Sequence, residues 1–576
     1  VKVSLRGVNV SLPKTAKQAW LAVVVRRDGR VLENHAWDLE VRDPDEAYRV
    51  TFRSGIDDSA QYYAVRRPTG ERSLGAVLTL HGAGVDALNQ ARAYSPKKDH
   101  WIVAPTNRRP FGFDWQDWGR QDAYEVMADL KKLKGVVTPY LTGHSMGGHG
   151  TWHLAVNDPG RFRAIAPSAG WCSFDTYGSR PQGKLRDLWH TADAASNTEA
   201  LLPNLRRTRI YVLHGKDDDN VPLSEAEHLV ASLKTHGIEP QVHFEEGKGH
   251  WWDGDAAEGA DCVDWPAIFE TFRETASPAP TSSFAWNVAD LSLGAEHDGW
   301  RIEQPMRYGA PSRLDVDEDR EQRVLRLRTE NVRRLVGLRC PGPRSVLIDE
   351  QPVSVPARGE GEPPFGVTFL KDPATGTWRE AVAGLPAEEK HPRRMGPFKR
   401  AFDNRFVLVY GTAGRPDENE ALLVSARFDA EQWRYRANGH AACVTDRFFL
   451  AHPERYADRN VILYGNATTN SAWNAVLDPR CPVHAERGRI RMGDRQWTGE
   501  SLGLLLVCPR RGSDLAQVAV VGDTGVLGTR LAFRMPYFTS GVGIPDYVVY
   551  GPEVLDIGDE GVRAAGFFDH RWRLAE

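Results

Sequence analysis

An apolar run at 136–142 passes into a helical pattern at 147–157 through the motif Gly143-His144-Ser145-Met146-Gly147-Gly148. A chain that passes from strand to helix in so few residues must turn tightly. The glycines around Ser145 remove the Cβ atoms that would obstruct such a turn. The serine hydroxyl is then held outside the sheet at a helix N-terminus, where backbone N–H groups face developing negative charge. G-x-S-x-G in this strand–turn–helix setting predicts a nucleophile, Ser145.

The surroundings of the turn fit that reading. Strand-like runs at 76–80, 101–104, 136–142, 164–167, 210–213 and 241–244 alternate with helical patterns at 122–134, 147–157, 224–236 and 265–275. A β-α-β-α order predicts a mostly parallel sheet with helices on both faces over residues 53–275. Residues 1–52 carry short alternating apolar runs around an Arg27-Asp28-Gly29 turn and read as an N-terminal β segment. Residues 277–283, Ser-Pro-Ala-Pro-Thr-Ser-Ser, form a linker by composition. Beyond it, residues 284–372 read as a small β domain and residues 395–576 as a C-terminal α/β domain. The linker is expected to leave the hydrolytic part separable from residues 284–576.

A serine hydroxyl needs a base, and the base needs an orienting carboxylate. In this architecture the order along the chain is serine, acid, histidine. Two loops that follow strand runs supply them, at the carboxyl ends where open α/β sheets place their sites. His250, in Gly247-Lys248-Gly249-His250-Trp251-Trp252-Asp253, is the expected base, and the acid is one of Asp217, Asp218 and Asp219. An oxyanion hole needs two backbone donors. Met146 provides one by its position, and Ala83 in His81-Gly82-Ala83-Gly84 is expected to provide the other.

These motifs resemble an α/β-hydrolase of the prolyl-oligopeptidase/carboxylesterase-like superfamily. The carriers are LHGAG at 80–84, DWGRQDAYEVM at 117–127, GHSMGGHGTW at 143–152, HGKDDDNVP at 214–222 and GKGHWWD at 247–253. The family spacing before Asp219-Asn220-Val221-Pro222 implies Asp218 as the acid. Residues 284–576 resemble extra domains on some uncharacterised bacterial hydrolases, a likeness that implies no activity. Only about 52 residues precede the hydrolase part, too few for two propeller blades, which favours ester over peptide hydrolysis. The expected function is therefore carboxylic ester hydrolysis through an acyl-enzyme, without a cofactor or metal. The alternatives are a prolyl-oligopeptidase-type serine peptidase, or a hydrolase serving a C-terminal polysaccharide- or protein-binding module.

Trp115, Trp118, Trp171, Trp251 and Trp252 fall in loops bordering the expected site. Of these, Trp171, Trp251 and Trp115 are the expected substrate walls for a small-molecule or carbohydrate-linked ester. Arg108 and Arg109 read as a solvated pair. His149 and His153 lack a third metal ligand, and Gly522-Asp523-Thr524-Gly525 lacks a full dinucleotide fingerprint. Asn466-Ala467-Thr468 abuts a buried run, so its glycosylation pattern is incidental. A formal charge of −4 argues against a nucleic-acid binder, and no apolar run reaches a membrane-spanning length. Six cysteines, none in a C-x-x-C pair, leave room for one or two isolated bridges. Beginning with Val, the chain reads as a processed or cloned form, leaning to a secreted or periplasmic location.

Overall fold

The computed structural model describes residues 16–43, 45–178, 183–254, 256–275, 283–319, 321–340, 345–355 and 365–575, without the side chains of 339, 340 and 365. The linker at 277–283 lies outside the described residues except for Ser283. The first described element is a hairpin, β1 (Gln18–Arg27) and β2 (Arg30–Glu40), whose strands pair, among the described residues, only with each other.

Eight strands then build one sheet: β3 (Tyr48–Arg53), β4 (Ala60–Arg66), β5 (Gly75–Leu80), β6 (His100–Ala104), β7 (Tyr140–His144), β8 (Ala164–Ser168), β9 (Arg209–Gly215) and β10 (Gln241–Glu245). Their order is β10-β9-β8-β7-β5-β6-β4-β3. The six strands from β10 to β6 run parallel, and β4 and β3 close the other edge antiparallel. β3 belongs to this sheet, so the sheet begins inside the stretch that the sequence set apart as 1–52. Every residue of β5, β7 and β8 is buried, the continuous apolar run that coverage on both faces demands. β7 starts at Tyr140 and not at 136, because Pro139 has no N–H to give a ladder.

Three helices set the site. α1 (Ala87–Arg92) follows β5, α2 (Asp117–Lys134) follows β6, and α3 (Met146–Asn157) follows β7. α2 ends at Gly135, whose left-handed backbone (φ 69°) lets its N–H bond the Lys131 carbonyl. All twelve residues of α3 are buried.

Two five-stranded sheets between Ser283 and Ala381 share one core, to which Trp286 and Leu314 come from one sheet and Ile302, Leu335 and Phe369 from the other. Beyond them a seven-stranded sheet places Val407–Tyr410 between Ala442–Thr445 and Val461–Tyr464, followed by Gln517–Asp523, all parallel. Gly503–Pro509, Tyr547–Tyr550 and Val562–Gly566 complete it antiparallel.

The two α/β units share a core, although the linker composition alone suggests separate parts. Phe113 and Trp118, before and at the start of α2, share a core with Phe402, Trp433 and Phe538. The Trp118 and Trp433 rings meet edge to face with centroids 5.1 Å apart. Arg108, read from sequence as solvated, is buried; it donates to Asp57 at 2.7 Å and to the Ala437 carbonyl at 2.8 Å. Asp57 in turn accepts from the Trp433 indole at 2.8 Å and the His440 amide at 3.0 Å. Arg109 donates to the Arg434 carbonyl across the same boundary.

Candidate active site

Ser145 sits between β7 and α3 with φ 59° and ψ −120°, a backbone conformation that costs an L-residue roughly 1–3 kcal/mol. The surrounding packing imposes it. A Cβ on Gly147 would stand 1.9 Å from the Leu80 carbonyl oxygen, and one on Gly143 would stand 2.3 Å from the Gly147 carbonyl oxygen. Only glycine lets β5, β7 and α3 approach this closely, and the Ser145 amide bonds the Ser168 carbonyl of β8 at 3.0 Å. Met146 is the first residue of α3. The turn after β5 passes beside the serine, since a Cβ on Gly82 would lie 3.4 Å from the Ser145 Cβ. Ala83, next in that turn, is exposed.

Of the three consecutive aspartates the structure joins Asp218 to His250. The His250 Nδ1 lies 2.8 Å from Asp218 Oδ2 and 3.0 Å from Oδ1. The Asp218 side chain is buried. Burial by itself would raise its pKa, but hydrogen bonds from His214, His250 and the Asn220 and Val221 amides hold it well below the usual carboxylate range. The amides of Asn220 and Val221 each bond Oδ1 at 2.9 Å, while His214 Nε2 lies 3.3 Å from Oδ2. The acid stays ionised and fixed, and the His250 side chain is 18% exposed, open to a reacting group.

His144, the second residue of the six-residue turn, was not singled out by its sequence pattern. Its Nε2 donates to the His250 carbonyl at 2.7 Å, and its ring lies 4.8 Å from that of His250. Burial, with His250 beside it, pushes its pKa down to about 3, so the ring is neutral at physiological pH. It ties the His250 loop to the serine turn. His214 was likewise missed as a partner of Asp218, although it stands four residues before it.

The expected substrate walls divide. Trp171 stacks between His149 (centroids 4.7 Å, planes 8° apart) and Tyr177 (4.8 Å, 19°). Tyr177 donates its hydroxyl to the Asn220 carbonyl at 2.9 Å, which joins this stack to the Asp218 loop. Trp251 is 53% exposed beside His250 and edge-on to His144. Trp115 is corrected: it is fully buried, its indole donates to the His81 carbonyl at 3.0 Å, and its ring packs on Gly150, so no substrate reaches it. Trp171 is corrected as well: it is buried with both faces covered, and Trp118 and Trp252 are also buried. Phe111, unnoticed in the sequence, is 69% exposed over the turn that holds Ala83.

His149 meets Gln116 and the Trp171 carbonyl, and His153 meets Arg120 and Asn157. Asn466 is buried and donates to Asp523 at 3.1 Å. Among the described residues no helix is long and apolar enough to cross a membrane.

Residues 107–264 match the model of the prolyl oligopeptidase family. An uncharacterised secreted protein of Arthroderma benhamiae is 24% identical over 568 residues, covering 89% of this chain. The chain spans 58% of that relative's length. A fluorophosphonate-binding serine hydrolase of Staphylococcus aureus is similar at 15% identity, with a TM-score of 0.32, over 40% of this chain and 99% of its own. An acylaminoacyl peptidase of Pyrococcus horikoshii is similar at 14% identity, with a TM-score of 0.30, over 40% of this chain and 42% of its own.

Proposed function

We propose that Ser145, His250 and Asp218 hydrolyse carboxylic esters through an acyl-enzyme. The observation that carries the reading is the bond from His250 to a buried, ionised Asp218, with the His250 loop tied through His144 to the strained turn that holds Ser145. Ser145 Oγ attacks the ester carbonyl while His250 Nε2 takes its proton, and Asp218 stabilises the imidazolium that forms. The Met146 and Ala83 amides receive the oxyanion. His250 returns the proton to the leaving alcohol, and water repeats the cycle on the acyl-enzyme. His144 positions His250 without touching the substrate.

The ester preference rests on the walls. Tyr177, Trp251 and Phe111 carry exposed aromatic rings on the loops of the candidate site, surfaces suited to an aryl or carbohydrate portion of an ester. A secreted or periplasmic location is part of the same proposal, following the description of the Arthroderma relative. Turnover of p-nitrophenyl esters of graded chain length, measured beside aminoacyl-p-nitroanilides with Ser145→Ala as the blank, tests the substrate class. Ester turnover is expected to dominate; dominant anilide cleavage makes the protein a peptidase.

A further inference from the structure

The C-terminal sheet carries a flap. Between Cys481 and Cys508 the chain leaves the sheet, forms the strands Val483–Glu486, Arg489–Met492 and Arg495–Thr498, and returns into Gly503–Pro509. This small antiparallel sheet lies over the carboxyl ends of the parallel strands. The Ala467 amide bonds the Ala485 carbonyl at 2.9 Å, and the Gly488 amide bonds the Thr524 carbonyl at 2.9 Å. Arg487 grips the buried Glu418 with two bonds of 2.7 Å. At the base of the flap the Cys481 and Cys508 Sγ atoms stand 2.7 Å apart, inside the contact distance of two unbonded sulfurs.

We propose that Cys481 and Cys508 form a disulfide that staples the flap across the sheet. Cys508 is fully buried in a central strand, while Cys481 is half-buried at the flap's entry, so Cys481 is the thiol an oxidant reaches. With a small-molecule disulfide such as oxidised glutathione, Cys481 displaces one glutathione thiol and forms a mixed disulfide. Cys508 then attacks the Cys481 sulfur and releases the second glutathione thiol, so that both cysteine protons end on glutathione and two electrons pass to it. The bond closes a loop of about 27 residues, long enough for its constraint on the unfolded chain to matter. No other described cysteine pair is brought into contact; Cys172, Cys262 and Cys443 lie in separate parts of the fold.

Full-length protein is equilibrated with oxidised glutathione, alkylated without reductant and digested with trypsin. The expected product is a crosslink between the peptide starting at Cys481 and the peptide ending at Arg510. Recovery of both peptides singly alkylated overturns the proposal. Thermal unfolding gives an independent readout. Reductant is expected to lower the transition of the C-terminal unit by about 5–15 °C, and to have no effect on Cys481→Ser/Cys508→Ser. An equal effect of reductant on that double variant assigns the shift to other cysteines and removes the staple.

Discussion

At the carboxyl edge of the first sheet, Ser145, Asp218 and His250 come from three loops that leave a histidine and an aromatic rim open to solvent. At the same edge of the second sheet the topology is just as suited to a ligand. The strand Val407–Tyr410 sends its successors to opposite sides, which opens a crevice in sheets of this kind. That crevice is filled. A Cβ on Gly411 would stand 2.3 Å from the Thr469 carbonyl, so the two loops interlock, and the flap covers them through Arg487 and Glu418. Similar topology therefore leaves an open site in one half and a packed edge in the other. The difference lies in whether the loops at the switch point pair with each other or with a visitor.

The sharpest test of this contrast is Ser145→Ala, expected to lower kcat by about 10⁴–10⁶ with an unchanged melting curve. Asp523→Asn at the matching edge of the second sheet is expected to leave ester turnover within about twofold. A Ser145→Ala preparation that keeps a tenth of the activity would remove the first sheet's claim to the chemistry.

Next in size is the acid. Asp218→Asn is expected to cost about 10⁴ in kcat, since an amide cannot stabilise the imidazolium and favours the wrong tautomer. Asp217→Asn and Asp219→Asn are expected to be mild. A severe defect at either neighbour would contradict the bonds to His250.

The dependence of one half on the other is tested by ending the chain at 276. Such a fragment exposes Phe113 and Trp118 and strips Arg108 of its Ala437 partner. It is expected to aggregate on size-exclusion chromatography, and Trp118→Ala in the full chain to cost about 3–5 kcal/mol of stability in denaturant. A monodisperse, active fragment would show that the halves are joined only by the linker.

The smallest effect is in pH. Burial raises the Asp523 pKa to about 7, so the folded chain holds a proton there that the unfolded chain releases near 4. Its contribution to stability is full below about pH 4 and is lost as pH rises through about 7. Asp523→Asn is therefore expected to gain melting temperature relative to the parent at pH 8 and not at pH 4. In the first sheet the sign reverses: burial lowers His144 to about 3, so its contribution is present above about 6.5 and lost as pH falls toward 3. A gain for Asp523→Asn that is the same at both pH values would place the ionisation elsewhere.

Local rules carried the sequence reading where they apply. The turn around Ser145 was legible because glycine spacing and a strand–helix junction are written in consecutive residues. The runs 461–464 and 547–550 became strands with those same ends because continuous apolar stretches bounded by turns have few other uses. The start of β7 escaped because Pro139 counts as apolar until its missing N–H is considered. Trp115 was misjudged because sequence shows that a tryptophan stands near a loop but not which way its indole faces.

What the sequence determined by itself is therefore the order of elements and the serine turn, each written in residues close along the chain. The tertiary structure decided that Asp218 and neither neighbour meets His250, that Trp118 and Arg108 belong to a core shared with Trp433, and that Cys481 faces Cys508. Those outcomes depend on which surfaces meet across 27 to more than 300 residues of chain. Burial and hydrogen bonding at such a distance are properties of the packed molecule, and local spacing cannot encode them.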